Sequence, residues 1–452
     1  MNLLRGFSRA AVALNDWTQR WIPGSFSIAW ILTLLVLALG TTVAHAPLVD
    51  CIRYWGDGFW ELLSFSMQMC LVMFTGSMVA VSPPVARLLA RLAALPRSPR
   101  QSILLMALLS MLLALFHWGL SIVGSAVLVR EIGRRRTGVD YRLLVAAAYL
   151  GMGTTWHAGL SASAPLLVAT PGHFMESTIG LIPVRDTLFA PFNLILVAVV
   201  VVVFAVVTPL LHPPPDRTVT VKPAQLDAIR LFTPPKRPQG PEGETLAARL
   251  EYSPWVNWTF GVLTLVWLVT YLIRPAHPVT LNALNLVMIG LAIVLHPSAA
   301  SVVAAAEEAG KLVFGIILQF PLYAGMYGII QGTHLAETLA GAFVRVANAS
   351  TYPVIVYWYS GIVNYFVPSG GSKWAIEAPY VLSAAQSLGV SPAKVVTAYA
   401  WGDMMTDIIQ PFWAIPLLAA AKLDFREILG FCMILFCIYA PIVSLAFLLF
   451  PR

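Results

Sequence analysis

The sequence predicts an all-α polytopic membrane protein with about nine transmembrane helices and two opposed re-entrant hairpins. Of its 452 residues, 58% are hydrophobic and only 11% are charged, whereas a soluble globular domain carries roughly 25% charged residues. Apolar runs long enough to cross a hydrocarbon core of about 30 Å as helices recur along the chain, as in 25–43, 188–211 and 431–450. A large soluble helical core would need polar helix faces, which these runs lack.

Residues 1–24 are predicted to form a cytoplasmic N-terminal segment that lies in the membrane interface. Arg5, Arg9, Asp16 and Arg20 interrupt it, and no small-residue cleavage site follows a short apolar core, so a signal peptide is not indicated. An amphipathic interfacial helix fits better, and its arginines place the N-terminus in the cytoplasm. The net charge of +7 is therefore interpreted as a determinant of membrane topology. It does not indicate nucleic-acid binding, because the sequence has no basic stripe with exposed aromatics.

We expect the rest of the chain to form two repeats. The first repeat covers 25–212, and the stretch 213–253, rich in proline and charge, is a cytoplasmic linker. The helix at 254–274 has no counterpart and inverts the second repeat, 279–452, relative to the first. The predicted spanning helices cover 25–46, 58–82, 141–171, 186–211, 254–274, 279–297, 310–332, 392–420 and 428–450.

Two apolar regions, 101–133 and 352–388, do not fit single spans because each has a break in its middle. The basic sequences RLLARLAALPRSPR and REIGRRRTG flank the first region, so both of its ends are expected in the cytoplasm. It is therefore predicted to be a re-entrant hairpin with HWGLSIVGSA (117–126) at its tip. By the same reasoning, the second region starts and ends outside, and PSGGS forms its tip.

The two halves also resemble each other in sequence. HWGLSIVGSAVLV (117–129) aligns with NYFVPSGGSKWAI (364–376), which superimposes two Gly-Ser pairs. GMGTTWHAGLSASAPLL (151–167) aligns without gaps with GDMMTDIIQPFWAIPLL (402–418), at an offset of 251. Inverted repeats of this kind are typical of secondary transporters, whose binding site lies at the repeat interface near mid-membrane.

Four predicted helix breaks, at 119–125, 154–163, 367–372 and 405–412, are the candidate functional segments. Non-helical backbone at membrane depth is tolerated only where it is buried in protein or lines a cavity. Helix N-termini at such breaks attract anions, and freed carbonyls can hold a cation. The candidate substrate contacts are Ser121, Gly124, Ser125, Trp156, His157, Ser161, Ser163, Ser369, Gly370, Gly371, Ser372, Lys373 and Gln410. The candidate ion-coupling residues are Thr154, Thr155, Asn364, Glu377, Asp403, Thr406 and Asp407.

Structural roles remain open for these residues. Small hydroxyl residues also serve tight helix packing. Asp403 and Asp407 share one helix face, where they could bind a cation, carry a proton or pair with the lysine of the hairpin. Lys373 and Glu377 are four residues apart, so Lys373 could pair with Glu377 or bind the carboxylate of a substrate.

Five motifs resemble the short-chain fatty acid transporter family of the AtoE type: WGDGFWELLSFSMQM, DYRLLVAAAYLG, GLSASAPLLVATPGH, VNYFVPSGGSKWAIEAP and QPFWAIPLLA. The resemblance implies uptake of short monocarboxylates, such as butyrate or acetoacetate, across the cytoplasmic (inner) membrane of a bacterium. It also implies a scaffold domain that forms a homodimer and a transport domain that moves as an elevator. The family's hairpin arm is neutral where this chain has Lys373 and Glu377, and the family often has Asn at the position of Asp407.

The predicted function is secondary active transport of short-chain monocarboxylates, coupled to Na⁺ or H⁺. The alternative is the same carrier fold moving a zwitterionic or larger organic acid, because of Lys373 and Glu377. The sequence contains no HExxH or GxSxG motif, so we predict no enzyme, no catalytic residue and no cofactor other than Na⁺ at the helix breaks. The expected partners are a small carboxylate, membrane lipid and a second copy of the chain, and not nucleic acid.

Overall fold

The computed structural model describes residues 25–229, 232–274 and 279–451, together with Pro23. Regular structure in these ranges is helical, without strands. Apart from Pro23, the predicted N-terminal segment lies outside the described residues. In the first half, the helices longer than four residues are α1 (Ser25–Thr42), α2 (Leu48–Gly58), α3 (Leu63–Val81), α4 (Pro83–Leu92), α5 (Pro99–Phe116), α6 (Trp118–Arg135), α7 (Tyr141–Thr154), α8 (Ser163–Leu167) and α9 (Pro191–Leu210).

The second half repeats this order after one separate helix, α10 (Trp255–Ile273). α12, α13 and α17 each begin 251 residues after their counterparts α2, α3 and α7. This agreement supports a duplication, whereas the inverted orientation and the domain boundaries stay predictions. The helices are α11 (Leu281–Val294), α12 (Ala299–Gly310), α13 (Phe314–Gly332), α14 (Leu335–Val346), α15 (Tyr352–Phe366), α16 (Gly370–Leu388), α17 (Pro392–Asp407), α18 (Ile415–Ala421) and α19 (Phe425–Leu449).

Local sequence explains several helix ends. Ser98, Asp140 and Thr280 each accept a hydrogen bond from a backbone N–H in the first turn of the following helix. Asp424 forms a capping box with Glu427 at the start of α19. These caps satisfy N–H groups that would otherwise lack partners at the helix N-termini.

Six helices in the described ranges are long and apolar enough to cross a membrane: α3, α5, α9, α10, α13 and α19. α17 and the helical segment 412–421 make a seventh if this pair, bent by 66°, is one span. The apolar stretch Phe26–Thr42 of α1 and the helix α11 are shorter, and α7 ends inside the predicted span 141–171. All predicted spans therefore fall on helices, while nine crossings and the re-entrant paths stay predictions.

The interrupted helices lie at the centre of the fold. In α7, all residues except Arg142 are buried, and in α17 burial is continuous from Lys394 to Asp407. α10 differs in its burial: Asn257 is its buried residue, and large apolar side chains of this helix are exposed. Such an outer surface is suited to contact with lipid, whereas the polar side chains of the interrupted helices lie in the buried interior.

The predicted linker 213–253 is attached to helices of both halves. Its described residues include three short α-helices, Pro223–Ala228, Pro241–Glu244 and Leu246–Glu251. Asp227 pairs with Arg134 of α6 at 3.2 Å. Gln225 Nε2 donates to the backbone carbonyl that follows α18, at 3.3 Å.

Candidate functional site

The breaks in the two interrupted helices meet the start of α16 in the buried interior. α7 ends at Thr154 and α8 begins at Ser163, with a turn of 3₁₀ helix between them. At Gly370, the first residue of α16, a Cβ atom would lie 2.7 Å from Asp403 Oδ2 and 2.8 Å from Trp156 Cη2. Glycine therefore allows the second hairpin to approach both interrupted helices this closely.

His157 joins the two halves through both of its ring nitrogens. Nδ1 lies 2.9 Å from Asp403 Oδ2. Nε2 accepts from the backbone N–H of Ala164 at 3.2 Å and lies 2.8 Å from Ser163 Oγ. Because a backbone N–H can only donate, Nε2 carries no proton, and the ring proton is on Nδ1. The His157 ring is thus neutral. It donates a hydrogen bond to the Asp403 carboxylate and so fixes the orientation of that carboxylate.

Asp407 is held at both of its carboxylate oxygens. Trp156 Nε1 donates to Oδ2 at 3.0 Å, and Asn364 Nδ2 donates to Oδ1 at 2.9 Å. Asn364 Nδ2 also lies 2.8 Å from the backbone carbonyl of Asp403. This carboxylate therefore binds together the break after α7, the first arm of the second hairpin and α17.

The ammonium group of Lys373 is fully buried among oxygen atoms. Nζ donates to Ser360 Oγ at 2.6 Å and to the Ser360 carbonyl at 3.2 Å. Asp403 Oδ1 lies 3.5 Å from Nζ and Glu377 Oε2 lies 3.8 Å away, and the centroid of the Tyr399 ring is 3.9 Å away. Of the two partners that the sequence leaves open for Lys373, Glu377 lies within ion-pair distance, but Ser360 is nearer.

The first hairpin is broken at the first residue of its predicted tip, 117–126, and ahead of the predicted break at 119–125. A single extended residue, His117, separates α5 from α6, with φ −162° and ψ 113°. The predicted break at 119–125 is wrong, because Gly124 and Ser125 lie inside α6 rather than at a tip. One extended residue is enough to interrupt the helix, so the Gly-Ser pair is not needed for the break.

The second hairpin is broken only at the three residues before α16, and a small cavity lies beside this tip. The Ser372 hydroxyl donates to Ser369 Oγ, and both residues line the cavity, whose volume is 60 Å³. Phe320, Tyr323 and Trp413 supply aromatic walls. Hydroxyls near a helix N-terminus, next to an apolar wall, suit a carboxylate with a short apolar tail.

Several of the predicted hydroxyl residues are engaged in hydrogen bonds within the fold. Ser121 Oγ donates to the Ser110 carbonyl at 2.8 Å. Ser161 Oγ accepts from the Trp118 N–H at 2.8 Å and so caps the start of α6. These bonds support the interpretation of helix packing. Other bonds of this kind run from Thr154 to the Leu150 carbonyl (2.6 Å), from Thr155 to the Met111 carbonyl (3.0 Å) and from Thr406 to the Gly361 carbonyl (2.8 Å).

Sequence reasoning missed two tyrosines that hold the breaks in place. Tyr399 OH donates to the Gly370 carbonyl at 2.6 Å. Tyr149 OH donates to the Gln410 carbonyl at 3.2 Å, and Gln410 Oε1 accepts from the N–H of Phe412 at 3.0 Å. A signal existed, because both tyrosines follow alanine at nearly equivalent places in the two repeats. Ser360, in the middle of a helix, carried no such signal.

Comparison with known proteins decides the family. The profile of the family described as "Short chain fatty acid transporter" matches residues 4–450. The chain belongs to this family. Two bacterial relatives, from Escherichia coli K12 and Haemophilus influenzae Rd, are provisionally described as short-chain fatty acid transporters. The first is 36% identical over 93% of this chain and 94% of its own length. The second is 33% identical over 96% and 98%.

Solved transporter structures share the fold of this family member at low sequence identity. The Alcanivorax borkumensis YdaH transporter, described as having an unusual topology, has a TM-score of 0.62 at 16% identity, covering 95% of this chain and 98% of that one. Neisseria gonorrhoeae MtrF, described within a class of antimetabolite efflux pumps, has a TM-score of 0.55 at 14% identity, covering 98% and 96%. At these identities, the likeness concerns the fold.

The family and its relatives are transporters, so this chain is not an enzyme. His157 contacts Ser163 on one side and Asp403 on the other, as the histidine of a hydrolase triad does. However, its Nε2 already accepts a hydrogen bond from a backbone N–H. That bond leaves the ring poorly placed to act as a general base. Within the described ranges, no group of three or more His, Cys, Asp or Glu side chains could hold a metal ion.

Proposed function

We propose that this family member is a secondary active transporter of short-chain monocarboxylates such as butyrate or acetoacetate, coupled to Na⁺ or H⁺. The observation that carries the proposal is the polar start of α16, which meets both interrupted helices beside an aromatic-walled cavity. Ser369 and Ser372 would receive the carboxylate, and the aromatic wall would receive the short tail. The cavity of 60 Å³ is far below the roughly 300–1,000 Å³ of drug-sized pockets, which favours a small cargo.

The proposed mechanism is alternating access by elevator-like movement of a transport domain in the inner membrane of a bacterium. The contacts of Asp407 with Trp156 and Asn364, together with that of Asp403 with His157, would keep the second hairpin and both interrupted helices together as one moving body. A homodimer in surrounding lipid and a cytoplasmic N-terminus complete the proposal. Relatives from two bacteria support the location.

The second candidate is the same carrier moving a zwitterionic or larger organic acid. It is motivated by the charged pair Lys373 and Glu377, whose side chains are 1% exposed. Against it, Lys373 donates to Ser360 and lies near Asp403, so its ammonium group is already engaged. A carrier that recognised a second charge would need to release this contact.

A counterflow assay in proteoliposomes tests both candidates. Vesicles loaded with unlabelled butyrate should accumulate labelled butyrate, and acetoacetate should compete, whereas dicarboxylates and amino acids should not. Accumulation of an amino acid or dicarboxylate instead would favour the second candidate. The absence of saturable exchange for every monocarboxylate would refute the proposed cargo. Imposed Na⁺ and pH gradients then separate the coupling ions.

A further inference from the structure

The cage around the Lys373 ammonium group has the composition of a cation site. We propose that Lys373 acts as a built-in substitute for a bound Na⁺, so that the unaltered protein neither binds nor needs Na⁺ there, and Na⁺ enters the cage only when the lysine is removed. The inference rests on the proposed function only where it concerns coupling, because cation binding can be measured without any cargo.

The first argument for the inference is the type of oxygen atoms around Lys373 Nζ. Nζ faces a backbone carbonyl and a hydroxyl, both of Ser360, and one carboxylate oxygen each of Asp403 and Glu377. Carbonyl, hydroxyl and carboxylate oxygens are the ligands of hard cations in proteins. Ser360 Oγ donates its own proton to the Tyr399 carbonyl at 2.9 Å, so its lone pairs are directed at the ammonium group.

The position of the cage carries the second step. Ser360 lies on α15, Lys373 and Glu377 on α16, and Asp403 on α17. A cation at this point would join the two arms of the second hairpin to an interrupted helix, where transporters of this architecture hold coupling ions. Lys373 makes the same connection with a cation that is covalently attached to α16 and cannot dissociate during transport.

Burial carries the third step. The side chains of Lys373, Glu377 and Asp403 are each 1% exposed, so bulk water cannot compensate their charges. Removing one member of a buried charge group leaves the other members uncompensated, which is strongly unfavourable. Without Lys373, two carboxylates would face a vacant space lined by Ser360, where a bound Na⁺ would compete with protonation of the carboxylates as the replacement for the lost charge.

Lys394 offers a matched control in the same half. It is 8% exposed, and its Nζ lies 3.2 Å from the centroid of the Phe192 ring, without a hydrogen-bond partner. Its ammonium group therefore has a cation–π contact but no oxygen cage. Replacing Lys394 removes one buried lysine without creating a set of cation ligands.

Thermal unfolding of purified protein in detergent, in NaCl or in N-methylglucamine chloride of equal ionic strength, tests the inference. Any difference in Tm between the two salts should be the same in the unaltered protein and in Lys394→Ala. Lys373→Ala should show a Tm that rises with the logarithm of the Na⁺ concentration, as expected for ligand binding to the folded state. Lys373→Ser is measured in the same way if Lys373→Ala does not fold.

Three results would overturn the inference. They are a Na⁺-specific Tm shift in the unaltered protein as large as that in Lys373→Ala, an equally large shift in Lys394→Ala, and no shift in a folded Lys373 variant. The absence of butyrate exchange, by contrast, would refute the proposed cargo. The Tm measurements would then still decide whether Lys373 substitutes for a bound Na⁺.

Discussion

Trp156 Nε1 donates a 3.0 Å hydrogen bond to Asp407 Oδ2, between residues 251 positions apart in the sequence. The same offset of 251 aligns the two interrupted helices without gaps, so these residues occupy equivalent places in the two repeats. If the halves have the predicted two-fold relation, equivalent residues can touch only near its axis. The bond links the breaks of the two halves and, on that prediction, lies near the axis.

Replacing Trp156 with Phe should lower the free energy of unfolding by about 2 kcal/mol, because a buried carboxylate loses a donor. Trp118→Phe is the matched control. Trp118 packs against Trp156 with ring centroids 6.1 Å apart, but its indole N–H has no hydrogen-bond partner. Denaturant or thermal unfolding in detergent provides the measurement. Equal losses in the two variants would mean that ring volume, and not the hydrogen bond, stabilises the junction.

Replacing His157 with Leu should destabilise the protein more than replacing His117 with Leu. Both histidines are fully buried. His157 bonds to Asp403 and Ala164, whereas both ring nitrogens of His117 lack partners. Each buried group left unsatisfied costs about 1–3 kcal/mol, so the two variants should differ by at least that amount in unfolding free energy. A larger loss for His117→Leu would contradict the role assigned to His157.

The sequence predicts the interrupted helices well and the first hairpin poorly, for physical reasons. The ungapped repeat aligns the predicted breaks at 154–163 and 405–412, and the structure has its breaks after Thr154 and after Asp407. The break at His117 consists of one extended residue, for which no local composition is required. The contact between Lys373 and Ser360 depends on how two hairpin arms pack, and a serine in a helix is most often a packing residue.

Replacing Gly370 with Ala should disrupt the meeting of the hairpin with both interrupted helices. The added methyl group would lie 2.7 Å from both Asp403 Oδ2 and His157 Cε1, and overpacking of this kind costs about 1–3 kcal/mol. Gly341→Ala, on α14, is the control because its Cβ would meet nothing within 4 Å. There the gain in helix propensity should stabilise by up to about 1 kcal/mol. Comparable Tm values for the two variants would contradict the close approach at Gly370.

Replacing Ser372 with Ala should weaken cargo binding without unfolding the protein. If the Ser372 hydroxyl bonds to the substrate carboxylate, its loss removes about 1.5–3 kcal/mol, equivalent to a rise of at least about tenfold in the KM of butyrate counterflow. Ser387 is the control: it lies exposed on the same helix and donates to the Ser383 carbonyl at 3.1 Å. Ser387→Ala should leave KM unchanged.

The Tm of Ser372→Ala separates binding from folding. Ser372 bonds to Ser369 within the tip, so a purely structural role would lower Tm and the number of active carriers while KM stayed constant. A role in binding would raise KM at nearly constant Tm, and a longer acid such as hexanoate would lose affinity by a similar factor, since the carboxylate and not the tail meets the hydroxyl. An unchanged KM for both acids would remove Ser372 from the proposed site.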